Sequence, residues 1–169
     1  MDRSGIPVLV FGTSNASQQE MNTVNLTHII YASIAASAFD AAELKALLQK
    51  IRVKNSERGI TGMLLYTSGS FFQVLEGEDT TLADLFAKIA ADPRHKNVTK
   101  IIQEPITRRD FSDWTMGYGE FDSKDLASIE GLGDCFQRGN FLVDLPPGRA
   151  KKLLTAFGEG RWRARVKSA

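Results

Sequence analysis

The stretch ITGMLLYTSGSFFQVLEG, residues 60–77, is the clearest indication of the fold in the sequence. It holds two short apolar runs, Ile60–Tyr66 and Phe71–Glu76, whose aromatic and aliphatic side chains are typical of β-strands. Between the runs, residues 67–70 (TSGS) favour a tight turn. The stretch therefore predicts a β-hairpin, and the segments on either side of it indicate which sheet the hairpin joins.

A strand and a helix precede the hairpin. Leu26–Ala32 (LTHIIYA) is short and apolar, as expected of a first strand. Asp40, followed three residues later by Glu43, is the capping-box pattern that starts a helix. Leucines at helical spacing continue this helix to Glu57, and Gly59 is expected to end it.

A second helix and two further strands follow the hairpin. Thr80 or Asp79 is expected to cap the helix, which carries leucine, phenylalanine and isoleucine at helical spacing. Val98–Glu104 is predicted as a fourth strand and Trp114–Phe121 as a short fifth strand.

The order strand, helix, hairpin, helix, strand predicts an α+β fold with a ferredoxin-like βαββαβ(β) sheet. Right-handed crossovers place both helices on one face of the sheet, with the third strand beside the first. C-terminal helices, predicted at 126–132 and at Arg149–Phe157, could cover the other face. Three parts are expected: an N-terminal extension at 1–24, a folded domain at 25–121 and a helical appendage at 122–169.

The composition is that of an ordinary globular chain. Its 169 residues are 43% hydrophobic and 24% charged, with a net charge of +1. This balance gives no electrostatic reason to expect nucleic acid or an anionic membrane as the main partner. The single cysteine, Cys135, excludes an internal disulfide, and with only two histidines beside it no metal site is expected.

The N-terminal residues do not predict a targeting segment. The apolar run Ile6–Phe11 contains Pro7 and is shorter than the ~7–15 apolar residues of a signal peptide or the ~20 of a membrane span. The natural start is either Met1 or Met21. We expect a cytoplasmic protein with no membrane partner.

Motifs of catalysis are missing from the sequence. It contains no phosphate-binding loop, no dinucleotide fingerprint, no nucleophile elbow and no zinc-protease motif. The chain is therefore not expected to be an enzyme.

Two polar side chains lie within apolar strands. Gln73 shares a strand face with Phe71 and Leu75, and a buried amide without partners costs about 1–3 kcal/mol. Tyr31, on the neighbouring first strand, could satisfy it. The pair is then either a structural hydrogen bond or part of a network that a ligand completes.

Three further polar residues could meet in the cleft between the two helices. Asn55 lies near the end of the first helix, and Arg94 and His95 follow the second. Such residues are usually solvated, so their convergence would point to a ligand site.

Four stretches taken together resemble the BLUF family, blue-light sensors that hold flavin. They are HIIYAS (28–33), KNSERGITGMLLY (54–66), SFFQVLEG (70–77) with DPRHKNV (92–98), and QEPITRRDFSDWTMGY (103–118). Each motif alone is weak, but the ordered set is specific. The resemblance identifies residues 25–121 as a BLUF flavin-binding domain and agrees with the strand order inferred above.

The resemblance implies roles for particular residues. Tyr31 and Gln73 would form the photoactive pair at the flavin ring, and Asn55 would bind the polar edge of that ring. Trp114 and Met116 would flank Gln73 and relay its state.

The resemblance also implies flavin contacts beyond the photoactive pair. Arg94, with His95 and Asp92 of the same motif, would lie near a flavin carbonyl, and Leu75 would line the pocket. Where many members carry asparagine or histidine this chain has Lys54, so ring packing and kinetics should differ.

The function implied is that of a blue-light photoreceptor with non-covalently bound FAD. Light would drive electron and then proton transfer from Tyr31 to the flavin, and Gln73 would change its tautomer or orientation and shift the absorption to the red. The signal would pass through the C-terminal helices to a separate effector protein or a homo-oligomer.

Two other classes stay open from the residues alone. One is a flavin-free ferredoxin-like interaction module in which the Tyr31–Gln73 pair is structural. The other is a small ferredoxin-like hydrolase in which Arg94 and Asn55 handle phosphate and water, although no glycine-rich loop lies near either residue.

Overall fold

The computed structural model describes residues 24–67, 69–113, 115–120 and 147–158. The elements follow in the order β1 (Leu26–Ala35), α1 (Ala41–Arg58), β2 (Thr61–Thr67), β3 (Ser70–Glu78), α2 (Asp79–Ala91), β4 (His95–Pro105), β5 (Gly117–Glu120) and α3 (Pro147–Gly158). This is the predicted α+β fold with the ferredoxin-like order of elements.

The five strands form one mixed sheet in the order β4-β1-β3-β2-β5. β1 pairs antiparallel with both β3 and β4, β2 pairs antiparallel with β3, and β5 runs parallel to β2 at the edge. The third strand therefore lies beside the first, as predicted. In this register Tyr31 lies directly opposite Gln73.

Local sequence sets both ends of α1. The Asp40 carboxylate accepts a hydrogen bond from the Glu43 amide at 2.8 Å, and the Glu43 carboxylate accepts one from the Asp40 amide at 3.0 Å. At the other end Gly59 adopts a left-handed conformation with φ of 65°, which only glycine reaches without strain. The predicted start and end of this helix are confirmed.

The predicted cap of α2 is wrong. Glu78, not Thr80 or Asp79, caps the helix, because β3 runs into α2 without a loop and the helix begins one residue earlier. The Glu78 carboxylate accepts from the hydroxyls of Thr80 and Thr81 and from the Thr81 amide. These hydrogen bonds lower the pKa of Glu78.

Two strands also differ from their predicted bounds. β4 begins at His95, three residues before the predicted Val98, because His95 pairs with Ala35 at the extended end of β1. β5 covers only Gly117–Glu120 of the predicted 114–121. The final helix begins at Pro147, a residue that the first turn of a helix tolerates.

Several predictions concern residues outside the described ranges. These are the N-terminal extension with its two candidate start residues, the helix at 126–132, Trp114 and Cys135.

The two faces of the sheet bury different sets of side chains. Tyr31 and Gln73 point to the face covered by α1 and α2, where the core includes Ile29, Leu44, Leu48, Leu64, Phe71, Leu75 and Leu82. Glu104 of β4 points to the opposite face, beside His28, and there its carboxylate pairs with Lys151 of α3 at 2.9 Å. α3 buries Ala150 and Leu153.

No helix in the described part of the chain is long and apolar enough to span a membrane. Within the same ranges no group of three or more potential metal ligands occurs.

Candidate functional site: a cavity between two helices

A cavity of about 300 Å³ lies between α1 and α2, above the central strands of the sheet. Leu47 and Ile51 of α1 and Leu85 and Ile89 of α2 form apolar walls. All the residues predicted to bind a cofactor line it: Tyr31, Asn55, Gln73, Leu75, Asp92, Arg94 and His95. The structure thus brings together residues from β1, α1, β3 and the α2–β4 connection, while their roles stay predictions.

A buried tyrosine and a buried glutamine are hydrogen-bonded where the strands meet the cavity. The Tyr31 hydroxyl donates to Oε1 of Gln73, and these side chains are 1% and 5% exposed. Burial raises the pKa of Tyr31 far above its ordinary value, and the nearby charge of Asp92 raises it further. Tyr31 is therefore a neutral phenol whose proton already points at the glutamine.

In the described part of the chain, the nitrogen of the Gln73 amide has one weak partner. Its Nε2 donates to the thioether sulfur of Met116 at 3.3 Å, and Met116 is itself 1% exposed. A thioether is a poor acceptor and the amide carries two N–H groups. A ligand carbonyl in the cavity would complete this donor set, so the site suits a molecule with a polar edge.

α1 fixes the backbone beside Met116. Asn55 is buried, and its Nδ2 donates to the Thr115 carbonyl at 2.8 Å, while Nε of Arg52 donates to the Met116 carbonyl at 2.9 Å. Among the described residues Oδ1 of Asn55 has no hydrogen-bond partner. The sequence placed Asn55 in the cleft but gave no sign of its bond to residue 115 or of Arg52, because these contacts join residues about sixty positions apart.

Asp92 and Arg94 form an ion pair at the cavity. Nη2 of Arg94 lies 2.5 Å from one carboxylate oxygen, and Nε lies 3.0 Å from both. These hydrogen bonds lower the pKa of Asp92 to about 2 and raise the pKa of Arg94. Arg94 is 57% exposed, so it is poised to contact a ligand from the outside while Asp92 holds it.

His95 lies deeper than the sequence indicated. It begins β4, its Nδ1 lies 2.8 Å from the Ser33 hydroxyl, and its ring centre is 5.2 Å from that of Phe71. Burial lowers the pKa of His95, and the charge of Arg94 adds to this effect against the opposing charge of Asp92. The imidazole is therefore neutral at neutral pH.

Three cations line the cavity without an acidic partner. Lys54 and Arg58 of α1 and Lys88 of α2 are exposed and form no ion pair with a side chain in the described ranges. The sequence drew attention to Lys54 alone. Helical spacing could have found Arg58, which lies one turn further on the same face. These charges suit a ligand with an anionic tail.

The cavity as a whole fits a flavin. A flat apolar ring would lie between the helices, its polar edge would reach the amides of Gln73 and Asn55, and its phosphates would meet the cations. These features define the class of flavin-binding proteins.

Sequence comparison gives the family. The profile of the BLUF family, described as sensors of blue light using FAD, matches residues 26–117. The chain belongs to this family, so its cofactor is FAD and its class is that of a sensor, as expected, and not that of an enzyme. The flavin-free module and the hydrolase lose their support.

The region similar to this chain makes up very different shares of the proteins that resemble it. The photoactivated adenylate cyclase subunit beta of Euglena gracilis is 36% identical over 118 residues, which are 69% of this chain but only 14% of that protein. Among solved structures, the dark state of BlrB, a BLUF protein, has a TM-score of 0.65 at 31% identity and covers 80% of this chain and 96% of its own. BlrP1 of Klebsiella pneumoniae, solved with FMN and cyclic diGMP, has a TM-score of 0.55 at 33% identity and covers 80% of this chain and 35% of its own.

Proposed function

We propose that this blue-light sensor works through the hydrogen-bonded series Tyr31, Gln73 and Met116. The observation that carries the proposal is the buried bond from the tyrosine hydroxyl to the glutamine amide, whose far end rests on a weak sulfur acceptor. Such an amide can exchange one bonding pattern for another at little cost, because no strong acceptor among the described residues holds its N–H groups.

The cofactor and the chain have separate tasks. When bound, FAD supplies the absorption of blue light and an excited state that accepts an electron. Leu47, Ile51, Leu85 and Ile89 would hold the ring between the helices, and Arg94 and Asn55 would bind its polar edge.

Tyr31 is suited to give up an electron and then a proton. Burial keeps its phenol neutral in the dark, as the raised pKa shows. Loss of an electron makes a phenol strongly acidic, so its proton would pass along the existing bond to Oε1 of Gln73. A proton on Nε2 would then leave the amide for the group that accepted the electron, so the glutamine stays neutral. The negative charge of Asp92, which opposes ionisation of the neutral phenol, favours the oxidised form.

Gln73 converts this transfer into a change of bonding. A glutamine that carries a proton on Oε1, or that has rotated, presents a donor where it presented an acceptor. A sulfur atom only accepts, so a rotated amide that turns its oxygen to Met116 loses that contact. Because the network is buried, changing one of its bonds changes the others.

The change in the hydrogen bonds of Gln73 would reach the rest of the chain through β5, at the edge of the sheet. Met116 immediately precedes β5, a four-residue strand that pairs only with β2 in the described sheet. We place the output on β5 and the C-terminal helices, toward a separate effector protein or a second copy of the chain. Support comes from the short edge strand, whose few backbone bonds make it the part of the sheet most easily displaced.

The test compares two tyrosine variants. Tyr31→Phe removes the donor to Gln73, so it should still bind FAD but lose the red-shifted state after blue light. Tyr66→Phe is the matched control, because its hydroxyl accepts from the Phe39 amide at 3.3 Å and takes no part in the Gln73 bonds. It should photocycle normally. A normal red shift in Tyr31→Phe would refute the proposed mechanism and leave family membership intact.

A further inference from the structure

Glu76 is a wholly buried carboxylate at the end of β3, three residues beyond Gln73. Its Oε1 accepts from the Asp110 amide at 2.7 Å, and its Oε2 accepts from the Phe111 amide at 3.1 Å and from the Thr61 hydroxyl at 3.0 Å. A buried charge survives only where donors surround it. Here two of those donors are backbone amides of the loop between β4 and β5.

Arg109 strengthens the same attachment. Its Nη1 donates to the Glu76 carbonyl at 3.0 Å and to the Thr61 hydroxyl at 2.9 Å, and its Nη2 donates to the Gly59 carbonyl at 2.7 Å. Three consecutive loop residues, 109–111, are therefore fixed to the end of α1 and to the paired strands β2 and β3.

Side chains of α1 and β3 beside the cavity hold the far end of this loop. Asn55 and Arg52 bind the carbonyls of Thr115 and Met116, and the Met116 sulfur accepts from Gln73. Residues 109–111, at one end of the loop, are thus held by the bonds of Glu76 and Arg109. Met116, at the other end, is held in part by the weak hydrogen bond from Gln73 to its sulfur.

We propose that residues 109–111 are the hinge of the light response and that Glu76 is the positioning residue that holds this hinge. With the hinge fixed, a change at Gln73 moves Thr115, Met116 and the strand that follows, while Asp110 and Phe111 stay bound to Glu76. Without it, the whole loop would loosen and Met116 would lose its defined place on Gln73. The inference rests on the proposed function.

Amide hydrogen exchange of the FAD-loaded chain, in the dark and under blue light, tests the hinge directly. Amides of residues 115–118 should exchange faster in the light, while those of Asp110 and Phe111 keep their dark protection. Equal acceleration at both ends would overturn the inference. Absorbance recorded on the same sample separates the two proposals, because a missing red shift would refute the proposed function whatever the hinge does.

Glu76→Gln tests the positioning role. The amide keeps the size of the side chain but turns an N–H toward a loop amide, so one acceptor is lost. We expect exchange at residues 110 and 111 to rise about tenfold, the factor set by one hydrogen bond. The rate of dark recovery should change as well. Glu76→Asp, which restores the charge, should return part of the protection and of the recovery rate.

The matched control is Glu104→Gln, which neutralises another carboxylate on the same face of the sheet, bonded to His28 and Lys151 and not to the loop. It should leave dark recovery unchanged even if it lowers stability. If Glu76→Gln does not fold, Arg109→Lys keeps the carboxylate and loosens the same loop, with a smaller change in the same direction. Wild-type recovery and wild-type protection of residues 110 and 111 in either folded variant would overturn the inference.

Discussion

At the scale of single residues, the site depends on one amide with two unequal neighbours. Gln73 faces a phenol that donates strongly and a thioether that accepts weakly. In the proposed mechanism, the strong bond would fix the amide in the dark, and the weak one would let it respond when the phenol changes. A buried polar group costs free energy unless it is hydrogen-bonded. The two bonding patterns proposed for Gln73 should therefore differ in free energy by a few kcal/mol at most.

Replacing the sulfur should therefore change kinetics more than it changes stability. Met116→Leu conserves volume, a swap that usually costs less than about 1.5 kcal/mol, but it removes the acceptor of the Gln73 amide. We expect FAD to bind and the red-shifted state to form, with a dark-recovery rate several-fold different from wild type.

The control is Met63→Leu, which makes the same swap at a buried methionine of β2, on the face of the sheet away from the cavity. Recovery after a blue flash, followed by absorbance, distinguishes the two variants. Identical recovery in both would mean that the sulfur contact plays no part in the cycle.

At the scale of elements, the strands and helices were predictable where local chemistry decides them. The capping box and Gly59 fixed α1, and alternation placed Gln73 on the cavity face. The start of β4 at His95 was not predictable, because it depends on pairing with the end of β1. The attachment of residues 109–111 to Glu76 was missed for a similar reason, since an irregular loop has no periodicity to read.

The hairpin that carries Gln73 depends on a close approach of two backbones. A Cβ on Gly62 would overlap the Val74 carbonyl, whereas a Cβ on Gly59 would meet no atom and only strain its left-handed backbone. Gly59→Ala should cost about 1–2 kcal/mol, because a residue with a Cβ is strained in the left-handed region. Gly62→Ala should cost more, because overpacking of about 1–3 kcal/mol adds to the strain of its own positive φ.

Urea denaturation of both variants measures the difference in unfolding free energy. Gly62→Ala should also weaken FAD binding, because it separates β2 from the strand of Gln73. Equal losses of stability in the two variants would show that β2 and β3 can move apart without cost.

At the scale of the whole molecule, a nearly neutral chain concentrates unpaired positive charge at one cavity. The net charge is +1, yet Lys54, Arg58 and Lys88 line the same site without acidic partners among the described residues. Both helices carry these cations in their C-terminal halves, where the macrodipole supplies no positive charge. We therefore expect these side chains to contact the phosphates of the cofactor.

The double variant Lys54→Gln, Arg58→Gln should therefore weaken FAD binding more than riboflavin binding. Exposed charges contribute roughly 0.2–1 kcal/mol each, so removing two of them should weaken FAD binding about two- to thirtyfold at low salt and less at high salt. Flavin fluorescence titration measures both ligands. The control is Lys50→Gln, on the same helix but away from the cavity. An equal loss of affinity for FAD and riboflavin in the double variant would show that Lys54 and Arg58 do not contact the phosphates.

The absorption spectrum of the FAD-loaded chain, before and after blue light, is the decisive test of the proposed Tyr31–Gln73 switch. We expect the spectrum of oxidised flavin in the dark, a small shift to the red on illumination and full recovery in the dark. Bound flavin that shows no shift would contradict the proposed Tyr31–Gln73 switch. A chain that takes up no FAD would contradict the cavity as its binding site.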